Sequence, residues 1–211
     1  MWLLGHPVAH SLSPRMQNAA FAAAELDWEY ALRDVRPEEL EEALQEVEFA
    51  NVTAPYKLDA ARLLGGELPS VNTVVRGRGF STDAAILAQV GECRRPAIVG
   101  DGGAAAAFRH ALPDARVFAR RGVWPPDVAD ADLVIHATSV RDETLFELGE
   151  GQTLVDLPYP RTATAEAAAA AGARVLDGLE VLVAQGAASF ELWTGLPAPV
   201  GAMRAALGLR G

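Results

Sequence analysis

The chain has 211 residues, half of them hydrophobic and 22% charged, with a net charge of −10. That length suits one large or two small domains, and the negative balance excludes nonspecific nucleic-acid binding while leaving room for a local basic pocket. No apolar run approaches a membrane span. Met1-Trp2-Leu3-Leu4 meets Gly5-His6-Pro7 without a secretory pattern, and the single cysteine, Cys93, excludes an intramolecular disulfide. These features point to the cytoplasm.

Trp2 to Gly5 reads as a short buried strand. Ser13-Pro14 opens a helix to about Leu26, with Ser13 as N-cap and Pro14 at the first helical position. Ser11 and Ser13 therefore lie at a helix N-terminus, where they either cap or hold a carboxylate or phosphate. Glu29 to Val35 alternates like a strand, and Glu38 to Glu48 is an acidic helix with Leu40, Ala43, Leu44 and Val47 on one face. Phe49 to Thr53 is the next strand. It leads into Asn51-Val52-Thr53-Ala54-Pro55-Tyr56-Lys57 and a helix over about Leu58 to Leu64. Lys57 is the only lysine among eighteen basic residues. Arginine stays charged everywhere, whereas lysine can give up a proton. Either this position needs a titratable amine, or GC-rich coding has drained lysine elsewhere. Val71 to Arg76 and Gly79 to Ser81 form a hairpin, and Thr82-Asp83 begins a helix to about Val90. This half alternates strand and helix and predicts a mixed sheet covered by helices.

Arg94-Arg95-Pro96 marks a boundary. Ala97 to Gly100 is a buried strand, and Gly100-Asp101-Gly102-Gly103-Ala104-Ala105 follows, then a helix to about Leu112. This is a glycine-rich turn between strand and helix, suited to a pyrophosphate on backbone N–H groups, although Asp101 works against an anion. The strand Arg116 to Ala119 ends in Arg120-Arg121, where an NAD fold would place an acid. The two arginines either meet the 2′-phosphate of NADP or are simply solvated. Further strands are expected over Asp132 to His136, Thr153 to Leu157 and Arg174 to Leu176. Helices are expected over Arg161 to Ala171, Leu179 to Thr194 and Pro199 to Leu207. None of the four histidines has metal-ligand spacing, so no metal is expected. His110 reads as helix surface, His136 as a satisfied strand-end residue, and Cys93 as inert.

These motifs, in this order, resemble those of shikimate dehydrogenases. Gly5-His6-Pro7 to His10-Ser11-Leu12-Ser13-Pro14 resembles the family's opening loop, and Asn51 to Lys57 its Asn-Val-Thr-x-Pro-x-Lys motif. Val71-Asn72-Thr73, Thr82-Asp83, Gly100 to Ala104, Ala137-Thr138-Ser139, Asp156 to Pro160 and Gly178 to Gln185 match its later segments. The resemblance implies an α/β architecture: an N-terminal mixed α/β substrate domain and a Rossmann-like, doubly wound dinucleotide-binding domain. The first would cover residues 1–84 plus about 195–211, and the second 85–194. It implies NADP-dependent reduction of 3-dehydroshikimate to shikimate in aromatic amino acid and chorismate biosynthesis, with Lys57 as general acid paired with Asp83. The implied substrate contacts are Ser11, Ser13, Asn51, Thr53, Asn72, Tyr159 and Gln185. The implied cofactor contacts are Gly100, Gly102, Gly103, Ala104, Arg120, Arg121, Thr138, Leu157 and Gly178. A small-molecule substrate, no nucleic acid, no membrane, and a monomer or homodimer are expected.

The chain departs from the family pattern. It is shorter, compressed between Lys57 and Asn72 and between Arg121 and Asp132. Gln17-Asn18 replaces His-Asn, Ser81 an Asn, Asp101 a small residue, Ala119-Arg120-Arg121 an Asn-Arg-Thr, Val140-Arg141 a Gly-Met, and Val181 a Met. Departures gather on the cofactor side. Two other readings stay open: the same scaffold acting on another polyol acid such as quinate, and a protein that binds shikimate without efficient hydride transfer.

Overall fold

In the computed structural model of the protein, residues 1–209 are described. The chain divides into two compact units. One comprises Met1–Asp83 with Leu182–Gly211, the other Ala84–Val181. The return to the first unit falls at Leu182, inside a helix, rather than near residue 195.

The first unit holds strands β1 (Trp2–Gly5), β2 (Ala31–Asp34), β3 (Phe49–Val52), β4 (Thr73–Val75) and β5 (Arg78–Phe80). Their order is β2-β1-β3-β4-β5. The β1 pairings are parallel, while β3–β4 and β4–β5 are antiparallel, which makes the sheet mixed. Arg76 and Gly77 form the β4–β5 turn with φ of 48° and 75°, the left-handed pair that a tight two-residue hairpin requires. Helices α1 (Ser13–Ala23), α2 (Leu40–Glu46) and α3 (Lys57–Leu64) cover the sheet, and α1 packs on α7 (Val200–Ala206). The acidic helix is shorter than its charge pattern suggests, because its first turn, Pro37–Glu39, is a 3-10 helix. The segment after Asp83 is likewise a 3-10 helix, Asp83–Gln89. Leu4, Leu40, Leu44, Val52, Tyr56 and Val74 form the core of this unit.

The N-terminus of α1 differs from the sequence reading. Ser13 lies inside the helix, Leu12 takes the cap position without a side-chain bond, and Ser11 Oγ accepts the Ser13 N–H at 3.2 Å. Ser11 therefore satisfies the Ser13 amide at the first position of the helix, and Ser13 is not the cap.

The second unit holds β6 (Pro96–Val99), β7 (Arg116–Phe118), β8 (Leu133–His136), β9 (Thr153–Asp156) and β10 (Arg174–Leu176). The order is β10-β9-β8-β6-β7 and every pairing is parallel. Counted within the unit this is 2-1-3-4-5, a doubly wound order whose direction of winding reverses between β6 and β8. The central strands β6 and β8 are buried throughout, as a parallel sheet covered on both faces demands. Helix α5 (Ala163–Ala170) lays Ala165 and Ala168 onto the core of Val134, Leu154 and Phe118, and Thr162 Oγ1 caps it by accepting the Ala165 N–H. The alanine run is thus a helix face that approaches the sheet closely. Helix α4 is Gly103–Ala111, and α6, Gly178–Thr194, begins in this unit.

Asp132 anchors the start of β6, accepting the backbone N–H of Arg94 at 2.7 Å and of Arg95 at 2.9 Å. Burial pushes its carboxyl upward, but the backbone amides of Arg94, Arg95 and Asp132 itself, with the Arg95 charge, together outweigh burial and hold it below the usual carboxylate value. A depressed folded-state value means that this group stabilises the fold above the unfolded value and loses its contribution as pH falls through the folded one. Asp132→Asn should therefore melt earlier than the parent near neutral pH, and the gap should close below roughly pH 4. Thermal melts across the acid range check this. A pH-independent gap would contradict it.

Candidate active site

The register of the first sheet brings the polar residues together. Asn51 pairs with Thr73, and Thr73 with Phe80, so the carboxyl ends of β3 and β5 meet the amino end of β4. Lys57 opens α3 just beyond β3, and Asp83 follows β5. Lys57 Nζ donates to Asp83 Oδ1 at 2.7 Å and Oδ2 at 2.8 Å, with side-chain exposures of 16% and 8%. An ammonium has three hydrogens, so this bidentate grip leaves one.

Asn72 locks the carboxylate in place. Its Nδ2 donates to Asp83 Oδ1 at 3.0 Å and to Thr82 Oγ1 at 2.9 Å, with a longer contact to Gln185 Oε1 at 3.4 Å. Its Oδ1 accepts the Thr82 N–H at 2.7 Å, which fixes the amide's orientation. Beneath it, α6 adds a stripe at i, i+4, i+8. Gln185 faces Asn72, Ser189 shares hydrogen bonds with Thr73 and Thr82 at 2.8 and 3.1 Å, and Trp193 donates to the Val74 carbonyl. Ser189 and Tyr30 drew no attention in the sequence, and Thr73 did so only as the neighbour of Asn72. A serine in an alanine-rich helix carries no local signal, and only its spacing from Gln185 hints at a shared face.

Asn51, expected to contact substrate, is buried and committed elsewhere. Its Nδ2 donates to the Asn72 carbonyl, Thr73 Oγ1 and Ser189 Oγ at 2.9 to 3.1 Å, and its Oδ1 accepts from Tyr30 at 2.8 Å. Both of its donor hydrogens are used inside the protein, so it supports the site from below. Ser11 donates to Ser13 Oγ at 3.2 Å at the start of α1. Thr53 packs its methyl over Gly5, where an added Cβ would come within 2.4 Å of Thr53 Cγ2, so only glycine lets β1 pass under this loop. A surface hollow of about 610 Å³ lies elsewhere in this unit, lined by Leu44, Val47, Leu64, Glu48 and Arg76. Its Arg76–Glu48 pair is exposed, and it offers no buried acid–base pair comparable to Lys57 and Asp83.

In the second unit the glycine turn lies at the winding reversal. Gly100 has φ of 135°, and an added Cβ would stand 2.5 Å from the Ala137 carbonyl oxygen. Gly102 is extended and nothing lies within 4 Å of where its Cβ would be, so the approach to the first turn of α4 is open. Gly102, in the cap position, makes no side-chain bond, and the first-turn N–H groups of Gly103 and Ala104, with the helix dipole, fit the diphosphate of a dinucleotide. Asp101 is exposed beside them. Arg120 lies over the Trp124 ring at 5.4 Å and donates to Glu143 at 3.3 Å, and Arg121 is exposed. Thr138 follows β8, one residue beyond the Ala137 carbonyl that crowds Gly100. Leu157 and Gly178 meet at close range, since a Cβ on Gly178 would come within 2.2 Å of the Pro158 carbonyl oxygen and 2.7 Å of that of Leu157. Tyr159 is half-buried in this unit. Among the described residues no group of three or more His, Cys, Asp or Glu is placed to hold a metal, and no helix is long and apolar enough to cross a membrane.

A parallel 2-1-3-4-5 unit with a glycine turn, joined to a mixed-sheet unit with a buried Lys–Asp pair, defines the chain as a two-unit dinucleotide-binding α/β protein. The family profile "Shikimate dehydrogenase substrate binding domain" matches residues 3–74, and "Shikimate 5'-dehydrogenase C-terminal domain" matches residues 178–207. A shikimate dehydrogenase (NADP(+)) of Anaeromyxobacter dehalogenans is 38% identical over 264 aligned positions, covering 99% of this chain and 95% of that protein. One of Moorella thermoacetica is 36% identical, covering 95% and 90%. Among solved structures, shikimate dehydrogenase from Aquifex aeolicus superposes with a TM-score of 0.85 at 29% identity, covering 98% and 96%. Shikimate 5-dehydrogenase from Thermus thermophilus, in complex with NADP(H) and shikimate, gives 0.82 at 32%, covering 97% of both chains. The chain belongs to the shikimate dehydrogenase family.

Removing the Asn51 amide breaks its bonds to Tyr30, the Asn72 carbonyl, Thr73 and Ser189 and uncouples Ser189 and Thr73 from β3. Asn51→Ala should therefore cost about 2–3 kcal/mol of stability. Chemical denaturation measures it. An unchanged midpoint with weakened shikimate binding would return Asn51 to the role of substrate contact.

Proposed function

We propose that the chain is an NADP-dependent oxidoreductase that reduces 3-dehydroshikimate to shikimate, in the biosynthesis of aromatic amino acids through chorismate. The observation that carries this reading is the Lys57–Asp83 pair, held by Asn72 and with one ammonium hydrogen left over. When bound, NADPH supplies the hydride. The protein's own task is to bind and orient the substrate and to protonate the developing alkoxide. Lys57 gives up its remaining hydrogen to that oxygen as general acid. Asp83 keeps the amine pointed and accepts from a ring hydroxyl. In the reverse direction Lys57 takes the proton back.

Ser11 and Ser13 hold the carboxylate at the start of α1, and Thr53, Asn72, Tyr159 and Gln185 read the hydroxyls. Such a set discriminates by leaving a buried polar group unpaired when a hydroxyl is missing. On the cofactor side, Gly100, Gly102, Gly103 and Ala104 cradle the diphosphate. Thr138, Leu157 and Gly178 line the strand ends, and Arg120 and Arg121 take the 2′-phosphate. Residues 1–84 with the C-terminal return form the substrate domain, and the parallel-sheet unit is the NADP domain. The protein acts in the cytoplasm as a monomer or homodimer, a reading supported by its net charge of −10 and single cysteine.

Lys57→Arg keeps the charge but removes the transferable proton. It should lower turnover by about 10²–10⁴ while shikimate still binds. Parent-like turnover would remove Lys57 as the proton donor. Shikimate binding without turnover in the parent itself would favour a non-catalytic binding protein, the reading to which Asp101 lends weight.

Removing both guanidiniums with Arg120→Ala and Arg121→Ala should raise the Michaelis constant for NADP and spare that for NAD. Equal use of both cofactors by the unmodified protein would contradict the 2′-phosphate role.

A further inference from the structure

His136 ends β8 fully buried, edge-on to Phe146, with both ring nitrogens engaged. Nδ1 lies 2.7 Å from Asp156 Oδ1, and Nε2 lies 2.7 Å from Thr138 Oγ1. Asp156, at the matching end of β9, is also fully buried. Its Oδ2 accepts the Thr162 N–H at 3.2 Å, and its Oδ1 accepts the Thr162 hydroxyl at 3.1 Å. That hydroxyl is itself directed, because Thr162 Oγ1 already receives the Ala165 N–H and its own hydrogen is left for the carboxylate.

These directions propagate. A carboxylate surrounded by donors acts as acceptor, so the ring proton that meets it sits on Nδ1 of His136. In the neutral ring with that proton on Nδ1, Nε2 is the bare nitrogen and takes the Thr138 hydroxyl hydrogen. Thr138 Oγ1 also accepts the Val140 N–H at 3.1 Å. The hydroxyl is then left with one unshared lone pair and no free hydrogen. Thr138 is only half-buried, and it lies beside Gly100 at the winding reversal, where parallel α/β sheets bind their ligands. Neither His136 nor Asp156 is a surface group or touches an open site, so neither is explained by solvent or ligand contact.

We propose that His136, oriented by Asp156, is a positioning residue that fixes the Thr138 hydroxyl as a hydrogen-bond acceptor, so that this strand end receives a donor group of the dinucleotide, such as an amide N–H, and turns away an oxygen that can only accept. The role rests on the NADP-dependent reading above. It acts through Thr138 alone.

Two measurements test it. Long-range ¹H–¹⁵N correlation on the histidine rings, with His136 assigned by its loss in His136→Asn, reads the tautomer in the unliganded protein. A proton on Nδ1 with a bare Nε2 is expected. A proton on Nε2, in a neutral or a charged ring, overturns the proposal, since Thr138 would then be free to donate. Calorimetric titration with NADPH reads the ligand role. Thr138→Val, which keeps the shape and removes the hydroxyl, should weaken binding by roughly 3–10-fold, the value of one net hydrogen bond. Thr138→Ser should restore it. His136→Asn should lose a similar factor, and the double variant His136→Asn with Thr138→Val should lose no more than either alone. Parent-like binding by Thr138→Val, or losses that multiply in the double variant, would overturn it. If His136→Asn does not fold, the Thr138 pair and the tautomer decide alone. An unmodified protein that binds no NADPH defeats the proposed function and this ligand role together, whereas binding that is equal in parent and variants defeats only the role of His136.

Discussion

The arrangement of the first unit depends on keeping one lysine and one aspartate paired out of water. Taking two charges into a mostly buried place is costly, and the attraction between them compensates only where the geometry is good and the remaining polar valences are met. Here the grip on both oxygens of Asp83 is nearly symmetric, and Asn72 adds a donor to one of them. Asn72 is in turn fixed by the Thr82 amide, and Thr82 and Thr73 by Ser189. The hydrogen bonds run from the ion pair down to Asn51 and Tyr30 without a break. Much of what looks like a substrate motif is therefore scaffold for a single pair. The division of labour within Asn51 to Lys57 follows: the first residue bonds within the polar layer beneath, and the last pairs with Asp83.

The second unit is organised by backbone. Its glycine turn works because two positions lack a Cβ for different reasons. Gly100 has no room beside the Ala137 carbonyl, and Gly102 has nothing in front of it at all. One glycine closes the sheet and the other leaves the helix end open. The compressed stretch after Arg121 crosses directly to β8, so the sheet carries a single strand, β7, on that side of β6.

The alternation of strands and helices, the mixed and parallel sheets and the Lys57 segment were legible because they rest on local signals: apolar runs, glycine turns and a proline-marked helix start. Element ends were less so. The first turn of the acidic helix and the segment after Asp83 wind as 3-10 helices, which no periodicity distinguishes from α. The internal bonds of Asn51 were not legible, because its residue type and motif suit a ligand contact equally well and only the cross-strand register with Thr73 shows where its amide goes. Ser189 was passed over for a related reason, and His136 was read as a satisfied strand-end residue without its partners being identified. Their partners lie 116 and 20 residues away, and nothing in the chain announces such pairs. The resemblance to shikimate dehydrogenases supplied roles that residue chemistry left open, and the family membership is shown by relatives matching nearly the whole chain.

The central claim is that this polar cluster and this glycine turn together perform a reduction. Its most direct test is to mix the purified protein with NADPH and 3-dehydroshikimate, follow NADPH oxidation and identify the product, beside parallel reactions of quinate with NADP⁺ and NAD⁺. The account predicts NADPH consumed mole for mole as shikimate forms, and little turnover of quinate. No NADPH oxidation from a folded protein that binds both ligands would contradict it.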